Sequence, residues 1–514
     1  MYQLRFIGSM ALWLLLCLPA CDRKCKPGED VECWMQALSS PEQREKAIVE
    51  IKALGDKKAE PALVEAFKNA ADTPKDREEI AEIFGKWKTA QAVKPMMDAI
   101  DFTIGPSKDG KKAKMTNRAN QKIATALGMI GDKQAVEHLK RLMKLTKDPK
   151  VQRSAIRALG RLKATEALDD LLALLADKNE PKIIRANVVY TLGEIGDLRV
   201  VPKLVDALYM EKAFFFPHAN LALVKIGEPA VDLLVKTMKG ENPDVKKLLE
   251  SSVGIIEGAL EANSAQVLGD IGSTKATDAL LEMMGKVLKW EAETNRMLVI
   301  VRIINSLGEI GDKRAIDPIL KVLTAKYWDV RTVVANALMN IGDREVLPQL
   351  FKLAETGEQH PRTRVPLVEA IGNLGTDEHL GKLKELQEKI KDRDLSPAID
   401  MAVKRVEAFA ACKQNVDCWI GKLKSKEAPI REKAVYELGR LGDKRAVDAL
   451  VQILNDDDIN VRWALANAFS RLNSPKPIEP IDELVETKEK GSTRFKEVNE
   501  KYKRVAARLR RTAK

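Results

Sequence analysis

Six cysteines and four histidines are the side chains here best suited to metal or thiol chemistry, and their spacing sorts them. Four of the cysteines fall into two matching motifs, Cys25-Lys26 followed by Val31-Glu32-Cys33-Trp34 and Cys412-Lys413 followed by Val416-Asp417-Cys418-Trp419. Neither has the Cys-x-x-Cys spacing of a paired zinc site and no histidine accompanies either, so the motifs point to disulfides in an oxidising compartment. Arithmetic allows three pairings of four cysteines; the duplication favours the local ones, Cys25 with Cys33 and Cys412 with Cys418. The histidines, His138, His218, His360 and His379, lie far apart, and none is followed by glutamate. No Ser-His-Asp or Cys-His set has suitable local spacing, and no glycine-rich loop follows a strand to cradle phosphate. The sequence therefore nominates no catalytic residue, no metal ligand and no cofactor.

The other two cysteines belong to the N-terminus. Met1-Tyr2-Gln3-Leu4-Arg5 is a short basic segment, Phe6 to Leu18 is apolar, and Leu18-Pro19-Ala20-Cys21 places a small residue directly before Cys21. About a dozen apolar residues are too few to span a bilayer, where about 20 are needed. The pattern reads as a cleaved signal of the bacterial lipobox type. Residues 1–20 would leave, Cys21 would carry the lipid, and several acyl chains would hold the chain at the envelope, on the inner or the outer membrane.

Positioning any surface falls to a repeat. Leu307-Gly308-Glu309-Ile310-Gly311-Asp312 has close copies beginning at Leu127, Leu159, Leu192, Leu268 and Leu438, with looser ones between, most of them 31 to 33 residues apart. Self-similarity at that period signals a helical solenoid. Before each phrase runs an amphipathic segment such as Asp329 to Leu338, read as a first helix. The later glycine (Gly131, Gly196, Gly227, Gly272, Gly311, Gly342, Gly375, Gly442) falls where that helix must stop, in the left-handed conformation glycine adopts freely. The aspartate that often follows suits a helix cap. A second helix then runs from Ala315 through Leu323, tolerating Pro318 in its first turn.

These features resemble the HEAT-like repeats first described in phycocyanobilin lyases, over roughly residues 34 to 480. The resemblance includes an arginine eight residues before the first glycine position, at Arg44, Arg77, Arg185, Arg331, Arg364, Arg431 and Arg462. It implies an all-α solenoid of about 12–13 helical hairpins and, for that arginine, a structural hydrogen bond or ion pair. It does not fix function, since one solenoid serves many roles. HEAT-like hydroxylases hold two irons with His-Glu pairs, whereas here the acid precedes the histidine, at Glu137-His138 and Glu378-His379. A HEAT enzyme of the lyase or hydroxylase type and a basic nucleic-acid-binding HEAT protein remain the alternatives to a protein-binding scaffold.

Breaks in the spacing organise the chain. A signal spans 1–20, a lipidated linker 21–33, a long array 34–411, a short array 412–480 and a basic tail 481–514. Net charge is +11, concentrated in the tail, where Lys488 to Lys514 holds eleven lysines or arginines against three glutamates. Arg504, Arg508 and Arg511 share a face if that tail is helical, and are the candidates for an anionic membrane surface. An exported address argues against nucleic acid. Phe214-Phe215-Phe216 replaces the usual Asp-Val-Arg of one repeat; three adjacent aromatics cannot all face one core stripe, so this is the candidate contact for a protein partner. The expectation is a non-enzymatic, membrane-anchored scaffold of the bacterial cell envelope, on its periplasmic side.

Overall fold

The repeat grammar becomes geometry in the computed structural model, which describes residues 25–250, 257–291, 293–322, 328–356, 361–488 and 495–512. The signal segment and Cys21 lie outside the described residues, as does His360. Among the described residues there are 29 α-helices and no strand, so the fold is an all-α array of helical hairpins.

One repeat explains the rest. Helix Glu293–Ile310 ends at Gly311, whose φ of 75° is left-handed and whose N–H donates to Leu307 O at 3.0 Å. The Asp312 carboxylate then accepts from Arg314 N at 3.0 Å, and this cap starts a 3-10 turn, Lys313–Ala315, before the second helix, Ile316–Val322. The sequence suggested a single continuous second helix; the intervening turn follows from the cap gripping a donor two residues on. Asp132, Asp197, Asp343 and Asp443 repeat the device. Gly375 departs from it. Its N–H reaches Ile371 O at 2.7 Å without a positive φ, and Thr376 and His379 supply the cap instead.

The first glycine of the phrase has a separate reason. A Cβ on Gly308 would stand 2.8 Å from the Ala337 Cα, and one on Gly193 2.5 Å from the Ala222 Cα. Consecutive first helices touch backbone to backbone there, which no larger residue permits. Leu307 is fully buried and Ile310 nearly so, and each such side chain contributes about 1.5–3 kcal/mol by leaving water. At Arg44, Arg185 and Arg364 the recurrent arginine is structural, as the resemblance implied, whereas Arg77 Nε is buried without a hydrogen-bond partner. Arg44 Nε donates to Leu38 O at 2.9 Å, Arg185 Nε to Leu175 O and Arg364 Nε to Ala354 O, both at 2.8 Å. Each cation thus neutralises unpaired carbonyls at the negative end of the preceding helix.

Both disulfides take the local pairing, Cys25–Cys33 with Cα atoms 5.7 Å apart and Cys412–Cys418 with 5.4 Å. The motifs agree beyond the sulfurs. Trp34 Nε1 donates to Lys26 O and Trp419 Nε1 to Lys413 O, while Asp30 and Asn415 cap the Cys33 and Cys418 amides. Each bridge pins a tryptophan that anchors the start of a hairpin.

The chain divides into two compact units, ending at Val188 and beginning at Val189. The first has a core built on residues such as Phe67, Phe84, Leu127 and Leu159. In the second, the 412–480 segment shares one core with the terminal helix Lys496–Thr512 through Trp419, Leu450, Phe469, Tyr502 and Leu509. Both arrays suggested by the sequence interruption near 411 therefore contribute to this second unit.

Candidate functional site

The second unit gathers charge around a cavity, and the terminal helix builds one wall. This helix has two working faces. Val498, Tyr502, Val505, Ala506 and Leu509 are buried in the C-terminal core, with Tyr502 Oη donating to Leu454 O at 3.2 Å. The opposite face carries Lys501, Arg504, Arg508 and Arg511, spaced to lie along one side.

Arg504, Arg508 and Arg511, the residues nominated for an anionic membrane surface, turn inward. Arg504 Nε pairs with Asp270 Oδ1 at 2.8 Å, and Asp270 also accepts from Asn220 Nδ2 at 2.8 Å. Lys501 pairs with Glu309. Arg511 donates to Val224 O at 2.9 Å and to Ile271 O at 3.1 Å, the closing turns of helices Phe216–Ile226 and Ala259–Ile271. Arg508 lies over Gly272, where a Cβ would fall 2.1 Å from its Nη1. Burial pulls both the Arg508 and the Arg511 guanidinium below the ordinary value. The physical reason for the inward turn is that helix-end carbonyls and acids line this face, giving Lys501, Arg504 and Arg511 partners and setting Arg508 in the field of Glu309 and Asp270.

A second charged cluster holds the short array in place. Glu437, fully buried, receives Lys433 Nζ at 2.8 Å, Arg440 Nε at 2.7 Å and Arg344 Nη2 at 3.1 Å. Lys433 also donates to Asn373 O. Burial pulls Lys433 down to about 8 against the pull of Glu437. Desolvation pushes the Glu437 carboxyl up, but Lys433 and Arg440 outweigh it and hold it below the usual range. Arg405 pairs with Glu432, and Arg471 reaches Asn340 O.

Between these clusters lies a cavity of about 480 Å³. Carboxamides recur on its wall, among them Asn336, Asn340, Asn373, Asn460 and Asn467, with Tyr436 and Trp463 as its aromatic members. Three buried lining atoms have no hydrogen-bond partner: Asn373 Oδ1, Arg405 Nη1 and Tyr436 Oη. Desolvation pushes up the Glu369 carboxyl on the same wall. Sequence reasoning missed this site because its members come from segments separated by 60 to 234 residues. One signal was readable: acids stand after the first glycine at Asp270 and Glu309, and cations at matching intervals on the terminal helix.

The phenylalanines separate. Phe215 is fully buried, Phe214 stays 45% exposed with its ring edge-on to Phe215 at 5.4 Å, and Phe216 opens helix Phe216–Ile226. Three consecutive non-glycine residues before them, Glu211, Lys212 and Ala213, have φ between 53° and 63°. Among the described residues no group of three or more His, Cys, Asp and Glu could hold a metal ion, and no helix is long and apolar enough to cross a membrane.

Comparison with known proteins places these repeats. The HEAT repeats family matches residues 115–183, 144–215, 285–365 and 418–496, together just over half of the chain. Deoxyhypusine hydroxylase from Schizosaccharomyces pombe is 21% identical over 217 residues, 36% of this chain and 68% of that one. Among solved structures, the complex of CpcE and CpcF of phycocyanin lyase from Nostoc sp. PCC7120 is 18% identical, covering 53% of this chain and 93% of that one at a TM-score of 0.29. Kap121p bound to Pho4p is 11% identical, covering 90% and 57% at a TM-score of 0.47.

Proposed function

We propose, for a chain that belongs to the HEAT-repeat family, the role of a non-enzymatic scaffold at the bacterial cell envelope, tethered by a lipid on Cys21 and binding a protein partner. The observation that carries the partner reading is Phe214, a large apolar side chain 45% exposed on a turn of three consecutive left-handed residues. Each such residue costs of order 1–3 kcal/mol and persists where the surroundings enforce it. Strained residues cluster at binding sites, and exposed aromatic side chains are common anchors of protein contacts. The envelope address rests on the Leu18-Pro19-Ala20-Cys21 sequence, and two disulfide-stapled motifs suit an oxidising compartment.

Two experiments test this. Intact mass of the chain from a bacterial host, with and without Cys21→Ala, reads the anchor: loss of the first twenty residues and added acyl mass, abolished by the change, is expected. A full-length unmodified product contradicts it. Crosslinking in envelope extracts, wild type against Phe214→Ser, reads the partner contact. Phe215 is left intact because its burial makes it part of the core. Unchanged crosslinks contradict the site.

The resemblance to deoxyhypusine hydroxylase supports a second reading, a metal-dependent hydroxylase. Stoichiometric iron in protein purified from iron-replete cells would favour it over the scaffold.

A further inference from the structure

We infer that the cavity of the second unit is a binding site for a small neutral ligand rich in hydroxyl or amide groups, of the size and chemistry of a disaccharide. This goes beyond the scaffold reading and does not depend on it. Three observations converge. At about 480 Å³ the cavity falls within the roughly 300–1,000 Å³ of small-molecule sites.

Its wall also presents unspent hydrogen-bonding capacity in a defined order. Arg405, Asn373 and Tyr436 are 4%, 1% and 8% exposed, yet each lining side chain keeps one polar atom without a partner. The three are held together: Arg405 Nη2 and Asn373 Nδ2 both donate to the Glu432 carboxylate, and Tyr436 follows one helical turn after Glu432. Buried polar atoms are almost always satisfied, so these three call for a guest. They supply one donor (Arg405 Nη1), one acceptor (Asn373 Oδ1) and one group that does either (Tyr436 Oη). A hydroxyl or a secondary amide meets that set.

Charge decides the ligand class. Three ion pairs line this cavity, Arg405 with Glu432, Lys501 with Glu309 and Arg504 with Asp270, and the other charged members of its wall carry both signs, Arg302 and Arg471 with Glu369. A charged guest set against these pairs would compete with one of them, while a neutral polar guest leaves all three in place. Trp463 adds an aromatic side chain to the wall, against which a sugar ring can pack.

The test is calorimetric titration of the full chain with N,N′-diacetylchitobiose, maltose and citrate. Saturable binding of at least one sugar is expected, weakened about tenfold or more by Asn373→Ala and by Tyr436→Phe, with no heat from citrate. Tyr436→Phe separates binding from folding, because removing an unpaired buried hydroxyl leaves thermal stability unchanged or raised. The proposal is overturned if neither sugar binds at millimolar concentration, which makes the cavity a solvent pocket. It is overturned equally if citrate competes, or if both variants bind as the wild type does.

Discussion

The residue after the first glycine position distinguishes the two units. In the first unit it is Ala53, Lys86, Met129 or Arg161, each exposed. In the second it is Glu194, Lys225, Asp270, Glu309, Asn340, Asn373, Arg440 and Arg471, each half-buried or buried. The backbone slot is the same, on the first helix of each hairpin. What differs is the cover. The terminal helix and the short array lie over Asp270, Glu309, Asn340 and Asn373, and each of those residues meets a donor from them. A solenoid slot is thus chosen by what faces it, and the basic tail of this chain is the counterpart of its own acidic slots.

The largest effect belongs to the anion that serves three cations. Glu437→Gln would leave Lys433, Arg440 and Arg344 without their buried partner, and a loss of about 3–5 kcal/mol in chemical denaturation of the second unit is expected. Next comes the latch. Arg504→Ala removes the cation paired with Asp270, leaving it the Asn220 amide, and is expected to cost about 2 kcal/mol, whereas Arg161→Ala, in an exposed slot of the first unit, should stay within about 0.5 kcal/mol. Equal effects would erase the distinction between the units. Replacing both Cys412 and Cys418 by serine opens a short loop and is expected to lower stability by about 2 kcal/mol, read as a shift in the denaturation midpoint.

Acid sharpens the same comparison. The folded value of Glu437 lies below its ordinary one, so its contribution is fully present above the unfolded value of about 4.3 and is lost as pH falls through the folded value. The melting temperature of the wild type should therefore drop between neutral pH and pH values below about 4, and Glu437→Gln should drop less. An identical acid profile for both would assign the effect to other carboxylates.

The repeat was legible because each hairpin is a local affair. The stop at Gly311, the cap at Asp312, the apolar pair Leu307 and Ile310 and the arginine at Arg364 all act within about ten residues. The two Cys-Trp motifs were legible for the same reason, their sulfurs lying eight and six residues apart. The inward turn of Arg504, Arg508 and Arg511 was not. A run of cations on a helix reads as a surface until the carbonyls of Val224 and Ile271 and the carboxylate of Asp270 are seen opposite it. Arg511 finds its partners 287 and 240 residues away. The cavity was hidden likewise, since Asn373, Arg405 and Tyr436 meet only once the short array packs beside the long one.

Amide hydrogen exchange on the full chain carrying Lys501→Glu and Arg504→Glu tests the closure of the second unit most directly. Like charges would then oppose Glu309 and Asp270, so faster exchange is predicted in helices Ala259–Ile271 and Glu293–Ile310 and in Lys496–Thr512, while helix Lys111–Ile130 of the first unit exchanges as before. Unchanged protection throughout would contradict a latch made of those ion pairs.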